Sequence, residues 1–350
     1  MTTALQHTEP DRTPVFEYVL LSPLADVFLG HTYAGDPAHW EAYEQALGWK
    51  GAVQQDARDR IELAELLGHD LVYAIPHPPP ESRTTPADYP VPGPDPLFNL
   101  ERRNEWHARH DDSNDAGYEV YAFMQEEMVK RGLDLPILAP AYAHGVWTDT
   151  DLMQAMALDP TLAHSHFELA TRRALAASGR YLQLGIDQVG VGGDFSGTRP
   201  LISPRHYREY ILPELKKLTG YLHAHGAYAV NASDGDLWPV IDDFLLASGV
   251  DAYLEIDLHA GMDLGRLKTL YGERITFYGN LDCGIELSFG TPELVRQHTL
   301  DCLQAGWGSG GHILCASNAI TASVPLENYL AVLNAYRDFF GLPHLLLENR

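Results

Sequence analysis

The strongest constraint in this 350-residue chain is a rhythm of eight short apolar runs, each followed by a stretch with helical period. In order they are VFEYVLL (15–21), LVYAIP (71–76), LPILAPAY (135–142), VGVGGD (189–194), AYAVNASD (227–234), AYLEID (252–257), ITFYGN (275–280) and HILCAS (312–317). Runs this short, rich in Val, Ile and Tyr, read as buried strands rather than helices. The intervening segments carry helix punctuation. Ser203 followed by Pro204 predicts a cap and first turn, Pro213 divides the helix that follows, and Gly226 stops it. Thr291-Pro292 and Pro325 open two further helices in the same manner. Strand and helix repeated eight times predict an α/β fold, a (β/α)8 TIM barrel, as a single domain over residues 13–345. A doubly wound open sheet is the rival, weakened because no GxGxxG follows the first run.

Two segments stand outside the repeat. Residues 1–12 are polar and predicted to be a disordered N-terminus. Residues 78–113, Pro-rich and charged, form a long loop after strand 2 that reads as a lid over the C-terminal face. It carries Arg83, Arg102, Arg103, His107, Arg109 and His110, so it would present positive charge to an anionic substrate. A solvated surface loop is the alternative. The rest of the chain is acidic, with 48 Asp+Glu against 24 Lys+Arg and a formal charge of −24. That balance argues against nucleic acid and anionic membranes as partners. No run approaches the ~18–20 apolar residues of a membrane span. Three scattered cysteines build neither a disulfide framework nor a four-thiolate zinc site. With no targeting peptide legible at the start, a cytoplasmic location is expected.

In a parallel barrel, chemistry sits at the C-terminal ends of the strands. Those ends offer His77, Tyr142, His144, Asp194, Asn231, Ser233, Asp234, Glu255, Asp257, Asn280, Asp282, Ser317 and Asn318. Singly, an Asp or Asn at such a junction is as readily a helix cap or turn former. Together, the carboxylates of four successive strand ends would crowd one mouth and raise one another's pKa. Crowding of this kind supplies a protonated general acid, or oxygen ligands for a hard cation. Gly190, Gly192 and Gly193 lack phosphate-loop spacing and read as positions of close approach. HExxH, CxxC, GxSxG and GxxxxGK[ST] are all absent. Cys283, Cys302 and Cys315 read as small buried hydrophobes.

The ordered phrases GGDFSG, LISPRHYREYILPELKKL, GMDLGRLKTLYGERITFYGNLD, GTPELV and GGHILCASNAI followed by VPLENYLA resemble the uroporphyrinogen decarboxylase superfamily. The likeness runs from about residue 141 to 341, and RRNEWH is similar to the family's D-E-W-G segment. It implies a (β/α)8 barrel with its site at the mouth, in a superfamily of decarboxylases and corrinoid or thiol methyltransferases. Two departures narrow this. The Arg-rich RQAGR-type segment that grips a polycarboxylate is missing, and HTYAGDPAHWEAYEQALG stands in the early chain. Where zinc methyltransferases carry H-x-C-G and a later Cys, this chain has Ala232, Asp234 and Asn318, so no metal is expected.

The resemblance therefore implies a divergent, methyltransferase-like enzyme. It would move a methyl group from a small methylated substrate to a corrinoid or folate-type acceptor. Asp234, Glu255 and Asp194 would be its catalytic groups, with Tyr142, His144, His77, Arg199, Asn231, Asn280 and Asn318 binding substrate. No tightly bound cofactor is expected, a corrinoid-binding protein is the partner such chemistry would need, and homodimerisation is left open. The alternatives are a decarboxylase of a small acid held by Arg199 or the 78–113 arginines, and a non-catalytic binding or partner subunit.

Overall fold

Seven of the eight runs pair side by side as parallel strands in the order in which they occur in the chain. The strands are β1 (Val72–Tyr73), β2 (Ile137–Pro140), β3 (Gln188–Gly192), β4 (Tyr228–Ala232), β5 (Ala252–Leu254), β6 (Thr276–Tyr278) and β7 (His312–Ile313). Their register is continuous, for example Leu138 beside Gln188, Gln188 beside Tyr228, Val230 beside Ala252 and Ala252 beside Thr276. This computed structural model describes residues 1–83, 85–110 and 115–345. The result is an α/β, TIM-barrel-like fold whose parallel sheet curls with helical crossovers outside it.

The first run departs from the expectation of a regular strand. Residues 14–20 meet the sheet through isolated bridges, Val15 with Leu314 and Leu20 with Ile320. Phe16 N donates to Leu314 O and Leu314 N to Pro14 O, while Asp70 N, just before β1, donates to Val15 O. The segment thus hydrogen-bonds to both edges of the curled sheet. It forms no ladder because Pro14 has no N–H to give and its partner strands β1 and β7 are two residues long.

Period-two alternation sorts the strand residues into two layers. Phe16, Leu71, Tyr73, Leu138, Val230, Leu254, Tyr278 and Ile313 fill the interior of the curl. Val72, Ala139, Val189, Ala229, Tyr253, Phe277 and Leu314 face the helices. Inside, Tyr278 Oη donates to Gln188 Oε1 at 2.9 Å. Helix ends follow the sequence signals. The Ser203 side chain accepts from His206 N, and a π-helical turn over Tyr207–Ile211 leads into Leu212–Ala224, where Pro213 occupies the first turn. Thr291 caps the helix Pro292–Gly306.

Two expectations need correction. Residues 1–12 are not uniformly frayed: Thr2–Leu5 form a short helix whose Ala4 and Leu5 are buried in the interior cluster. Ala4 O accepts from Gly311 N and Thr276 Oγ1, which fixes the helix at the N-terminal ends of β6 and β7. Residues 78–113 are not one long loop. They contain Pro80–Arg83 and the 14-residue helix Pro96–Arg109, capped by Asp95. That helix buries Leu100 and Trp106 and packs on the helices Thr150–Leu158 and Pro160–Gln183, where Arg103 pairs with Asp149 at 2.9 Å. Positions 84 and 111–113 of this excursion lie outside the described residues. No helix among the described residues is long and apolar enough to cross a membrane.

Asp70 holds the seam between chain start and sheet. Its carboxylate takes two bonds at 2.7 Å from Arg12 and one at 3.0 Å from Val15 N. Replacing Asp70 by Ala strands a buried backbone N–H and a guanidinium, and should lower unfolding free energy by about 2–4 kcal/mol in urea titration. An unchanged midpoint would show that the seam does not depend on it.

Candidate functional site

At the C-terminal end of the curl lies a cavity of about 380 Å³ lined by Tyr18, Tyr142, Trp147, Asp194, Ala232 and Glu255, with Ala143, Gly145 and Gly193. The loops that carry these groups touch backbone to backbone. A Cβ on Gly193, φ 132°, would lie 2.8 Å from Gly145 N, and one on Gly235, φ 93°, would lie 2.4 Å from Gly197 O. Only glycine fits either position. This close packing holds Asp194 and Asp234 beside each other, and the Asp234 N–H donates to Asp194 Oδ1 at 3.0 Å.

Glu255 follows the last residue of β5 with φ 73°, a left-handed conformation that costs a non-glycine residue on the order of 1 kcal/mol or more. The strain sits at a cavity-lining carboxyl. Burial, then Asp234, then Asp194 push the Glu255 pKa well above the usual carboxylate range. Asp234 does not line the cavity but adjoins it, half-buried, and its Oδ2 accepts from Asn318 Nδ2 at 2.8 Å. Burial first, then the charges of Asp194 and Asp257, raise Asp234 to about 7, against the opposing pull of the Asn318 bond. The cluster therefore keeps a proton near neutrality.

Three phenols lie beneath these acids. Tyr18 Oη donates to Tyr73 Oη at 3.3 Å, with ring centroids 4.3 Å apart. The Tyr142 Oη is buried without a hydrogen-bond partner among the described residues. Burial, reinforced by Tyr73 and Glu255, drives Tyr142 well above its ordinary pKa, so it is a neutral hydroxyl with a donor to spare.

Of the residues singled out from sequence, Asp194, Asp234, Glu255, Tyr142 and Asn318 come together here. Others do not. Asn231 points to the helix layer, where its Nδ2 donates to Phe244 O. Asn280 faces Cys302 of the helix Pro292–Gly306. The fully buried His144 bonds Thr171 Oγ1 through Nε2 and is held near 4 by burial, a neutral packing group. His77 stacks on Trp40 and bonds Asp56, which also pairs with Arg60. Arg199 is exposed on the loop after β3 and lines neither this cavity nor its rim contacts. Asp282 bonds His259 and accepts from the N–H groups of Gly284, Ile285 and Glu286, so it is a cap. None of the described residues of 78–113 lines the mouth cavity.

Sequence reasoning overlooked Tyr18, Tyr73 and Trp147. Tyr18 and Tyr73 each stand two residues after an interior position, Phe16 and Leu71, so strict alternation would have flagged both. Trp147, 53% exposed, gives only the weaker signal of a large aromatic left in water.

The thiolate zinc site of the superfamily's methyltransferases does not fit these residues. Ala232 has no donor atom, and the Asn318 amide spends its N–H on Asp234. Among the described residues, no three His, Cys, Asp or Glu side chains are grouped to hold a metal ion.

Comparisons with known proteins bear on family and fold. The family model described as uroporphyrinogen decarboxylase (URO-D) matches residues 136–339. Uroporphyrinogen decarboxylase from Coxiella burnetii is 26% identical over 189 residues, 51% of this chain and 48% of that protein. Methylated-thiol–coenzyme M methyltransferase from Methanosarcina mazei is 25% identical over 192 residues, 55% and 47% of the two chains. The chain thus spans about half the length of these curated relatives. A solved methyltransferase from Methanosarcina mazei superposes with a TM-score of 0.66 at 17% identity, covering 97% of each chain, and shares the fold. With the family model matched over more than half its length, this chain belongs to the uroporphyrinogen decarboxylase (URO-D) family.

Proposed function

We propose that this chain is a methyl-transferring enzyme built on a (β/α)8 barrel that residues 14–20 complete. It takes a small methylated substrate at the mouth and protonates the group left behind when the methyl departs. The observation that carries this reading is the charge of the site. Asp194 and Glu255 line the cavity, Asp234 adjoins them, and no Lys or Arg is among the described lining residues. A carboxylate destined to leave as CO2 would enter that field against repulsion, whereas a neutral or cationic methyl donor meets no such barrier.

The roles follow from position. Glu255, protonated at neutral pH, gives its proton to the departing heteroatom. Asp234 and Asp194 keep Glu255 protonated, and Asn318 fixes the Asp234 carboxylate. The free Tyr142 hydroxyl directs an oxygen or nitrogen of the substrate. A corrinoid on a separate protein, or a folate-type molecule, would supply the nucleophile that accepts the methyl group. The likeness to the Methanosarcina mazei methyltransferase supports this reading. The decarboxylase relatives support the alternative, in which the same protonated carboxyl quenches a carbanion.

A panel of O-, N- and S-methyl donors incubated with cob(I)alamin separates the readings. Methylcobalamin formation, followed by its spectrum, is the expected result. Release of CO2 from small acids without methyl transfer would establish the lyase, and binding without turnover on either panel would mark a non-catalytic subunit.

Glu255→Gln should lower turnover by about 10²–10⁴-fold with the fold intact. The folded pKa values of Glu255 and Asp234 lie above their unfolded ones, so the stability they favour is present below pH ~4 and is lost as pH rises, through about 7 for Asp234 and through its own raised value for Glu255. Glu255→Gln should therefore melt no lower than wild type at pH 8, and a marked drop would assign the residue to scaffolding instead.

Turnover should also fall on the alkaline side, as pH rises to where Glu255, held well above the usual carboxylate range, loses its proton. Asp234→Asn removes one of the charges that raise Glu255, so the alkaline fall should move to lower pH. A pH–rate profile unchanged by Asp234→Asn would uncouple the two groups.

A further inference from the structure

A second cavity, of about 640 Å³, opens beside the first, and Tyr142 and Ala143 line both. The two differ in charge. The second is lined by Arg109, Arg172, Arg173 and Arg180, with no Asp or Glu among its described lining residues. Four of the chain's 24 basic residues converge there, in a molecule with twice as many acids.

The cleft is built by two helices. Pro96–Arg109 ends in Arg109, and Pro160–Gln183 presents Arg173 and Arg180, seven residues apart, on one face. Alanines at 170, 174 and 177 on the same helix leave room between them. Arg180 is held by Asp115 at 2.8 Å, but that carboxylate is 88% exposed and replaceable by an incoming anion. Arg109 and Arg172 make no ion pair with the described residues, and both are exposed. The local field registers on His107 at the cleft wall. Its ring is pushed down to about 4 by burial first, then by Arg173, Arg103 and His110.

We propose that this cleft is an anion-binding subsite continuous with the carboxylate cavity, receiving a phosphate or carboxylate arm of the molecule whose reacting end lies beside Glu255. Guanidinium groups bind either anion through paired N–H donors. The division of charge orients the ligand: its anionic arm is repelled by the Asp194 carboxylate and drawn to the arginines, with Tyr142 and Ala143 between the two. This deepens the methyl-transfer reading and rests on it for the placement of the reacting end.

The test is calorimetric titration of the full chain at low ionic strength with inorganic pyrophosphate and, separately, tricarballylate. Saturable binding of at least one is expected, weakening as salt is added. Binding of pyrophosphate alone assigns a phosphate arm, and of tricarballylate alone a carboxylate arm. The double variant Arg109→Gln/Arg172→Gln should weaken binding by about tenfold or more, and Asp234→Asn should leave it within about twofold. An unchanged melting temperature for the double variant confirms that its fold is intact. No saturable binding of either anion, or binding unmoved by the double variant, would overturn the proposal. So would binding lost in Asp234→Asn alone. No turnover is needed for this readout, so failure of the methyl-transfer assay with cleft binding intact would strike only the functional reading.

Discussion

The two-residue period of very short strands decides nearly everything else in this structure. With strands of two to five residues, each side chain belongs either to the interior of the curl or to the layer beneath the helices. Aromatic and aliphatic groups fill the interior up to the level of Tyr73, Leu254 and Tyr278. Above that level the in-phase positions go to Tyr18 and Tyr142, while Glu255, one residue after inward Leu254, lines the cavity from a left-handed backbone. The site is the place where the inward row turns polar and the backbone at Glu255 leaves the two-residue period.

The same period explains what the sequence made legible. The seven ladder strands and the caps at Ser203 and Thr291 rest on local signals, and they appear where those signals stand. The carboxyl cluster was legible because its members end successive parallel strands. What escaped was parity. Asn231 closes its strand one step out of phase with the inward row, so its amide faces a helix, whereas Asn280, two residues after inward Tyr278, faces Cys302 of a helix against that period. His77 is claimed by Asp56 and Trp40, residues more than 20 positions earlier, for which no local pattern exists. The N-terminal helix buries only Ala4 and Leu5, too short a stretch for periodicity to register. The helix Pro96–Arg109 was hidden by the prolines around it, although Asp95-Pro96 is itself a start signal.

Electrostatics divides the molecule more finely than its net charge suggests. Three carboxyls within hydrogen-bonding or coupling reach would repel one another if all were ionised, and desolvation adds to the cost. The structure offsets this with retained protons, one backbone N–H and one amide, rather than with a cation. The arginines gather instead behind Tyr142. Segregation of this kind keeps the carboxyl protonated, because a guanidinium close to Glu255 would favour its ionised form.

The seam formed by residues 14–20 has a consequence for the order in which the molecule can be made. Every ladder pair joins strands that are consecutive in the chain, so each can form soon after its second member is synthesised. The seam is different. Glu17 accepts from Ala316 N, 299 residues away, and from Tyr329 Oη. At ~5–20 residues per second on a ribosome, the first segment waits tens of seconds for those partners to be translated. Tyr18 belongs to that segment and lines the cavity. A nascent chain can therefore own most of its core before it owns a complete cavity, which exists only once residues 14–20 have met residues 314–329.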